Sequence, residues 1–249
     1  MSETVKLLEE LSFRTLPALA EERYDGWVLR WSDGGSRRSN SANPMEDSSL
    51  PLPDKIHYCQ EWFESRRAPA IFRLTPLAET TLDNALHDSG YRRSSPTAVM
   101  TAPLVGHRPD DRVITAEIPT DAWLRCIPAV GGDDPLRLER LRRQLMSSPG
   151  RNRFASITVA GEIAAIGMSL DFDGYTTIYH MNTRPRARRD GLARTILETL
   201  MAVGSSSGSS RAVLQVTEEN VPALRLYRAA GFSTVYSYHY RELRPSDPS

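Results

Sequence analysis

The chain has 249 residues, with 31 basic side chains against 31 acidic ones, 40% hydrophobic and 25% charged residues. That composition suits an ordinary globular protein, with room for one large domain or two small ones. It excludes a polycation that coats nucleic acid and an acidic disordered chain, and no apolar stretch nears the ~20 residues of a membrane span.

The opening residues MSETVKLLEE are acidic and lack the apolar core of a signal peptide, so a cytoplasmic location is expected. Residues 26–31 (GWVLRW) read as a strand and 32–35 as a turn. Residues 36–53 are polar and Pro-rich, and are expected to be a loop. Residues 55–65 read as a helix, 70–74 as a strand, 81–89 as a helix stopped by Gly90, and 97–102 as a strand. Cys59 and Cys126 are too few for a disulfide framework or a metal knuckle, and read as small buried apolar residues. Residues 104–112 (LVGHRPDDR) show no periodicity and read as a linker. Two domains are therefore expected, 1–105 and 106–249. The net charge hides a division, because residues 1–103 carry 12 basic and 15 acidic side chains and residues 106–249 carry 19 and 16.

In the second half, residues 134–147 place Leu138, Leu141 and Leu145 at helical spacing. Residues 154–159 alternate, Gly161-Glu162 suggests a turn, and 168–173 have an apolar residue at every second position. Asp173-Gly174 is a hairpin signal, and 175–183 follow as a strand. A helix then presents Leu192, Ile196, Leu200 and Val203 on one face and ends in the Ser/Gly loop 204–210. Residues 211–217 (RAVLQVT) read as a short buried strand. Asn220 sits at a helix N-cap, with Pro222 in the first turn, Leu224 and Tyr227 facing inward, and Gly231 at the end. Residues 233–242 put Tyr236, Tyr238 and Tyr240 on one side of a last strand. The order is β-β-β-α-β-α-β. Residues 82–91 (LDNALHDSGY) can be laid over 223–232 (ALRLYRAAGF), with Gly90-Tyr91 on Gly231-Phe232.

Only Lys6 and Lys55 are lysines; every other basic residue is arginine. Arg184, Arg186, Arg188, Arg189 and Arg194 fall within eleven residues, offset by Asp190 alone. This stretch leaves a strand, turns through Arg188-x-x-Gly191-x-Ala193 and opens a helix. A helix start exposes backbone N–H groups and the positive end of its dipole. Small residues at 191 and 193 allow close approach, and arginines add charge-assisted hydrogen bonds. Together they suit a pyrophosphate. A solvated basic turn is the plain alternative for the motif taken by itself.

In this order, Pro185, Arg188, Gly191, Ala193, a helix, a strand, Asn220, Ala223, Leu226-Tyr227 and Gly231-Phe232 resemble the GNAT superfamily of acyl-CoA-dependent N-acetyltransferases. The resemblance covers about residues 113–242. It implies a mixed α/β (α+β) fold, with a mostly antiparallel sheet flanked by helices and two GNAT-like halves in tandem. It also implies acetyl-CoA as acyl donor. Met181 and Thr183 would offer backbone groups to the pantetheine arm. Arg188, Arg189, Gly191, Ala193 and Arg194 would wrap the pyrophosphate, mainly through backbone N–H groups. Asn220 would hydrogen-bond the arm, and Tyr227 would give a proton to the departing thiolate. The implied reaction is direct attack by a primary amine, small-molecule or peptide, in a ternary complex. A non-catalytic acyl-CoA sensor or scaffold of the same fold is the alternative. Asp171, Asp173, His180, Glu218 and Glu219 are the candidate bases, and none stands out. Leu86 takes the place of Tyr227 in the overlay and no Arg-x-x-Gly-x-Ala precedes it, so the first half reads as a degenerate copy.

No metal, membrane or nucleic-acid partner is expected, and a homodimer is compatible with the sequence. The hydrolase signature Gly204-x-Ser206-x-Gly208 is discounted because it follows a helix and opens a strand, the reverse of a nucleophile elbow. A nucleic-acid module is discounted because no recognition element accompanies the arginines.

Overall fold

The computed structural model describes residues 2–33, 36–127 and 134–243. The end of the turn expected at 32–35 lies outside these. In chain order the first elements are α1 (Ser2–Thr15), β1 (Ala20–Tyr24), β2 (Trp27–Trp31), β3 (Ser41–Pro44), α2 (Leu52–Glu64), β4 (Ile71–Leu74), α3 (Thr80–Asp88) and β5 (Arg92–Pro103). They are followed by β6 (Ile114–Ala116), α4 (Asp121–Leu124), α5 (Pro135–Met146), β7 (Arg151–Val159), β8 (Glu162–Phe172) and β9 (Tyr175–Thr183). The last are α6 (Leu192–Ser206), β10 (Arg211–Thr217), α7 (Val221–Ala229) and β11 (Ser233–Glu242).

The chain forms two compact units. The first takes the residues up to Val99, then Thr217–Glu219 and the chain from Val235 on; the second takes Met100–Val216 and Asn220–Thr234. The chain first passes from one unit to the other between Val99 and Met100. The last strand, however, lies with the first unit: there the order is β1-β2-β3-β4-β11-β5. β11 runs antiparallel to β4, with Tyr240 opposite Arg73.

In the first unit, Ile56, Cys59 and Phe63 of α2 and Leu82 and Leu86 of α3 pack with Trp27, Leu29, Phe72 and Tyr91. The chemistry under α1 is different. Glu9 and Arg73 are both fully buried. Arg73 Nη2 donates to Glu9 Oε1 at 2.8 Å, and the Tyr236 hydroxyl donates to the same oxygen. The Arg73 guanidinium lies 3.8 Å from the Tyr238 ring centroid. Each partner of such a pair is needed, since an unpaired buried charge is strongly destabilising.

The loop expected over 36–53 contains β3, whose four residues are all buried. Its polar residues escape a hydropathy reading because they are satisfied internally. Asn43 Nδ2 donates to the Val28 carbonyl at 2.9 Å, and the Ser41 hydroxyl to Asn43 Oδ1 at 3.2 Å.

The second unit has the order β10-β9-β8-β7-β6, with β9 and β10 parallel and the rest antiparallel. α4 and α5 pack Trp123, Leu124, Leu138 and Leu145 against Phe154, Ile166 and Met168. The overlay of the two halves holds bond by bond. Tyr91 N–H donates to the Leu86 carbonyl and Phe232 N–H to the Tyr227 carbonyl, at 2.9 and 3.0 Å. Gly90 and Gly231 close the helices with φ of 85° and 89°, the left-handed stop that glycine adopts without steric cost. The expected mixed, mostly antiparallel sheet flanked by helices is present in both units. Cys59 and Cys126 are free and buried.

Candidate functional site: the corner between β9 and α6

β9 and β10 pair from Tyr175–Arg211 to Ile178–Leu214, and the pairing ends there. Both strands continue, β9 to Thr183 and β10 to Thr217, so two parallel strands part at their C-terminal ends. The cause lies in β9. His180 has φ 50°, and His180-Met181 stand opposite the single Gly167 of β8. This is a β-bulge, which bends a strand and ends its pairing. Gly167 leaves the room needed: a Cβ there would come within 2.6 Å of Met181 Sδ and 2.7 Å of Ile196 Cγ2.

Beyond the bulge the chain turns through Pro185–Ala187 into α6. Arg189 and Gly191 are left-handed, with φ of 73° and 75°. Gly191 is the N-cap of α6 and has no side chain to satisfy the helix start. Thr195 N–H donates to the Gly191 carbonyl at 3.1 Å. The N–H groups of Leu192, Ala193 and Arg194 before it find no acceptor among the described residues. The space where a Gly191 Cβ would stand is open. Unpaired N–H groups on a curled backbone at the positive end of a helix are an anion site in waiting.

The five arginines divide. Arg184 is paired with Glu162 at 2.5 Å and Arg194 with Glu198 at 2.8 Å. Arg188 Nε donates to the Thr183 carbonyl at 3.3 Å. Arg186, Arg188 and Arg189 are exposed and meet no carboxylate among the described residues. The charge on offer is three guanidiniums, and Arg194 contributes a backbone N–H. Met181 and Thr183 are half-buried on β9, with Thr183 Oγ1 buried and unpartnered.

α7 follows β10, the other parting strand. Asn220 caps it, accepting from Ala223 N–H at 3.2 Å. Tyr227 is 8% exposed, with its ring 5.9 Å from that of Phe232. Its hydroxyl has no partner among the described residues. Burial pushes the Tyr227 hydroxyl pKa up to about 12.

The base candidates separate as well. Asp171 is buried at the far end of β8, where Oδ1 accepts from the Thr176 hydroxyl at 2.7 Å. Asp173 forms the hairpin turn with φ 50°. Glu218 belongs to the first unit and accepts from the Ser237 hydroxyl at 2.7 Å. Glu219 lies in the same short segment of that unit. His180 is in the bulge itself, edge-on to Trp123 at 6.3 Å. The bulge had no signature in the sequence, since a histidine at positive φ looks like any strand histidine. A cavity of about 260 Å³ in this unit opens at the other end of α6, beside Asp171 and Ser207–Ser209, and meets no residue of the corner. Among the described residues no helix is long and apolar enough to cross a membrane, and no group of three or more His, Cys, Asp or Glu could hold a metal ion.

Parting parallel strands, a bulge and an uncapped helix start define the class. The fold is that of the GNAT acetyltransferases. A GCN5-related N-acetyltransferase from Kribbella flavida superposes with a TM-score of 0.70 at 15% identity, covering 97% of this chain and 96% of that one. A tandem GNAT protein from the clavulanic acid biosynthesis pathway gives 0.62 at 13% identity, covering 96% and 89%. The uncharacterized N-acetyltransferase YobR of Bacillus subtilis is 25% identical over 243 residues, 95% of this chain and 98% of its own. The model of the family described as "Probable histone acetyltransferase Rv0428c C-terminal" matches residues 2–241, and the chain belongs to that acetyltransferase family.

Proposed function

We propose that the protein moves an acetyl group from acetyl-CoA to a primary amine by direct attack in a ternary complex. The run of unpaired N–H groups from Leu192 to Arg194, beside three arginines that meet no carboxylate among the described residues, carries this reading. These groups fit a pyrophosphate, with Arg188, Arg189, Gly191, Ala193 and the Arg194 N–H around it. Met181, Thr183 and Asn220 would hold the arm between the parted strands. Bound acetyl-CoA supplies an activated thioester.

The chain's residues do the rest. An alkyl ammonium has a pKa near ~10, so a neutral amine needs a proton acceptor. His180 is the candidate best placed for it, because it stands in the bulge where β9 leaves β10. Tyr227 would give its proton to the departing thiolate, whose pKa is about 8.5 if it behaves like cysteine. Burial keeps that hydroxyl protonated, so it would meet the developing thiolate as a hydrogen-bond donor.

Free-thiol release from acetyl-CoA, measured against a panel of amino acids, polyamines and peptides, tests the reading. Amine-dependent release is expected. Coenzyme A binding with no release for any amine would favour the non-catalytic sensor instead. His180→Gln is expected to lower kcat by about 10²-fold with the best amine. An unchanged kcat would remove His180 from the role.

A further inference from the structure

The first unit repeats β-β-β-α-β-α and therefore has a corner of its own, between β3 and α2. It too carries backbone N–H groups beside a cation. Here the groups taken are those of the loop just before Pro51, the N-cap of α2. The Asp25 carboxylate accepts from Ser49 N–H at 3.1 Å and Leu50 N–H at 2.9 Å. It also accepts from the hydroxyls of Ser48 and Ser49 at 2.7 and 2.8 Å. Lys55 Nζ lies 3.4 Å from it. That ammonium is wholly buried, sits 4.1 Å over the Trp27 ring and donates to the Asp25 carbonyl at 2.8 Å.

This is the coordination of an anion: two N–H groups, two hydroxyls and a lysine converging on two oxygens. The turn that delivers the carboxylate is built for it. Asp25-Gly26 joins β1 to β2 with φ of 40° and 79°. Met45 and Glu46 N–H both donate to the Gly26 carbonyl at 3.0 Å, which ties the turn to the β3–α2 loop. The matching two-residue turn of the second unit, between β7 and β8, is Ala160-Gly161, with φ of 52° and 82°. It has the same backbone and no carboxylate. In that unit the N–H groups of the corner stay unpaired.

We infer that the first unit carries a filled anion cradle, in which the Asp25 carboxylate takes the place that a coenzyme pyrophosphate takes in the second unit, so that the chain binds one acyl-CoA and not two. This rests on the proposed function for the second unit's corner. The carboxylate is covalently attached, so a free pyrophosphate must displace an internal ligand whose local concentration no solution can match.

Two measurements on the full chain test it. Calorimetric titration with coenzyme A should give one equivalent per chain, and two equivalents would overturn the inference. The second uses inorganic pyrophosphate as probe, in a chain carrying Arg188→Glu and Arg189→Glu to disable the other corner. That chain should bind pyrophosphate only weakly. Adding Asp25→Gly, which removes the carboxylate and tolerates the turn's positive φ, should strengthen pyrophosphate binding by about tenfold or more, seen as broadening of its phosphorus resonance. A folded Asp25→Gly chain without that gain would show Asp25 to be only a staple between turn and loop, and would overturn the inference. If Asp25→Gly does not fold, the coenzyme A stoichiometry decides by itself. No coenzyme A binding at all would defeat the proposed function, and the pyrophosphate comparison would then decide this inference.

Discussion

Tyr227, the acid of the proposed reaction, also has a stability signature. Its hydroxyl pKa is pushed up to about 12 by burial, against an unfolded value near ~10. The native state therefore holds that proton more tightly than the unfolded chain. Stability is fully present below pH ~10 and is lost as pH rises toward 12. Tyr236 and Tyr240 are raised for the same first cause. Thermal melts across pH 8–11 should show a steep loss of Tm at the alkaline end, reduced in Tyr227→Phe. In kinetics, Tyr227→Phe should cost about 10²-fold in turnover and leave acetyl-CoA affinity within about twofold. Unchanged turnover would exclude Tyr227 as the acid.

At the scale of elements, α6 is the piece that must be held against the sheet for its start to be in place. Gly204 lies where a Cβ would meet Thr176 Oγ1 at 2.0 Å, and Thr176 is fully buried. Gly204→Ala should destabilise by about 1–3 kcal/mol in urea denaturation, by forcing α6 or Thr176 aside. An unchanged midpoint would mean that helix and strand separate freely. Much of this region was legible from residues 134–242. There the apolar spacing of Leu192, Ile196 and Leu200, the Asp173-Gly174 turn and the Asn220 cap each agree with the fold. The pairing of Arg194 with Glu198 was not legible, because a helical i,i+4 pair and a ligand-binding arginine share one sequence. The first half was fainter for physical reasons. α1 buries Glu9 and Ser12 among its apolar residues, and β3 is polar yet buried, so hydropathy marks neither.

At the scale of the molecule, the first unit is incomplete without the end of the chain. Arg73 packs on Tyr238, and Glu9 accepts from Tyr236. Asp83 is held at a pKa of about 2 chiefly by Arg241 and then by His239. A fragment of residues 1–105 should therefore be unfolded by circular dichroism, and a well-folded fragment would contradict this role of β11. The same strand constrains biosynthesis. A ribosome adds ~5–20 residues per second from the N-terminus, and domains whose contacts are local can fold as they emerge. Here the first-made unit lacks a central strand until residue 242 is out of the exit tunnel. Its buried ion pair waits for a partner more than two hundred residues downstream. Contacts of such sequence separation fold slowly. Until β11 emerges, the edges of β4 and β5 that it joins are unpaired, and such edges make folding intermediates prone to aggregate.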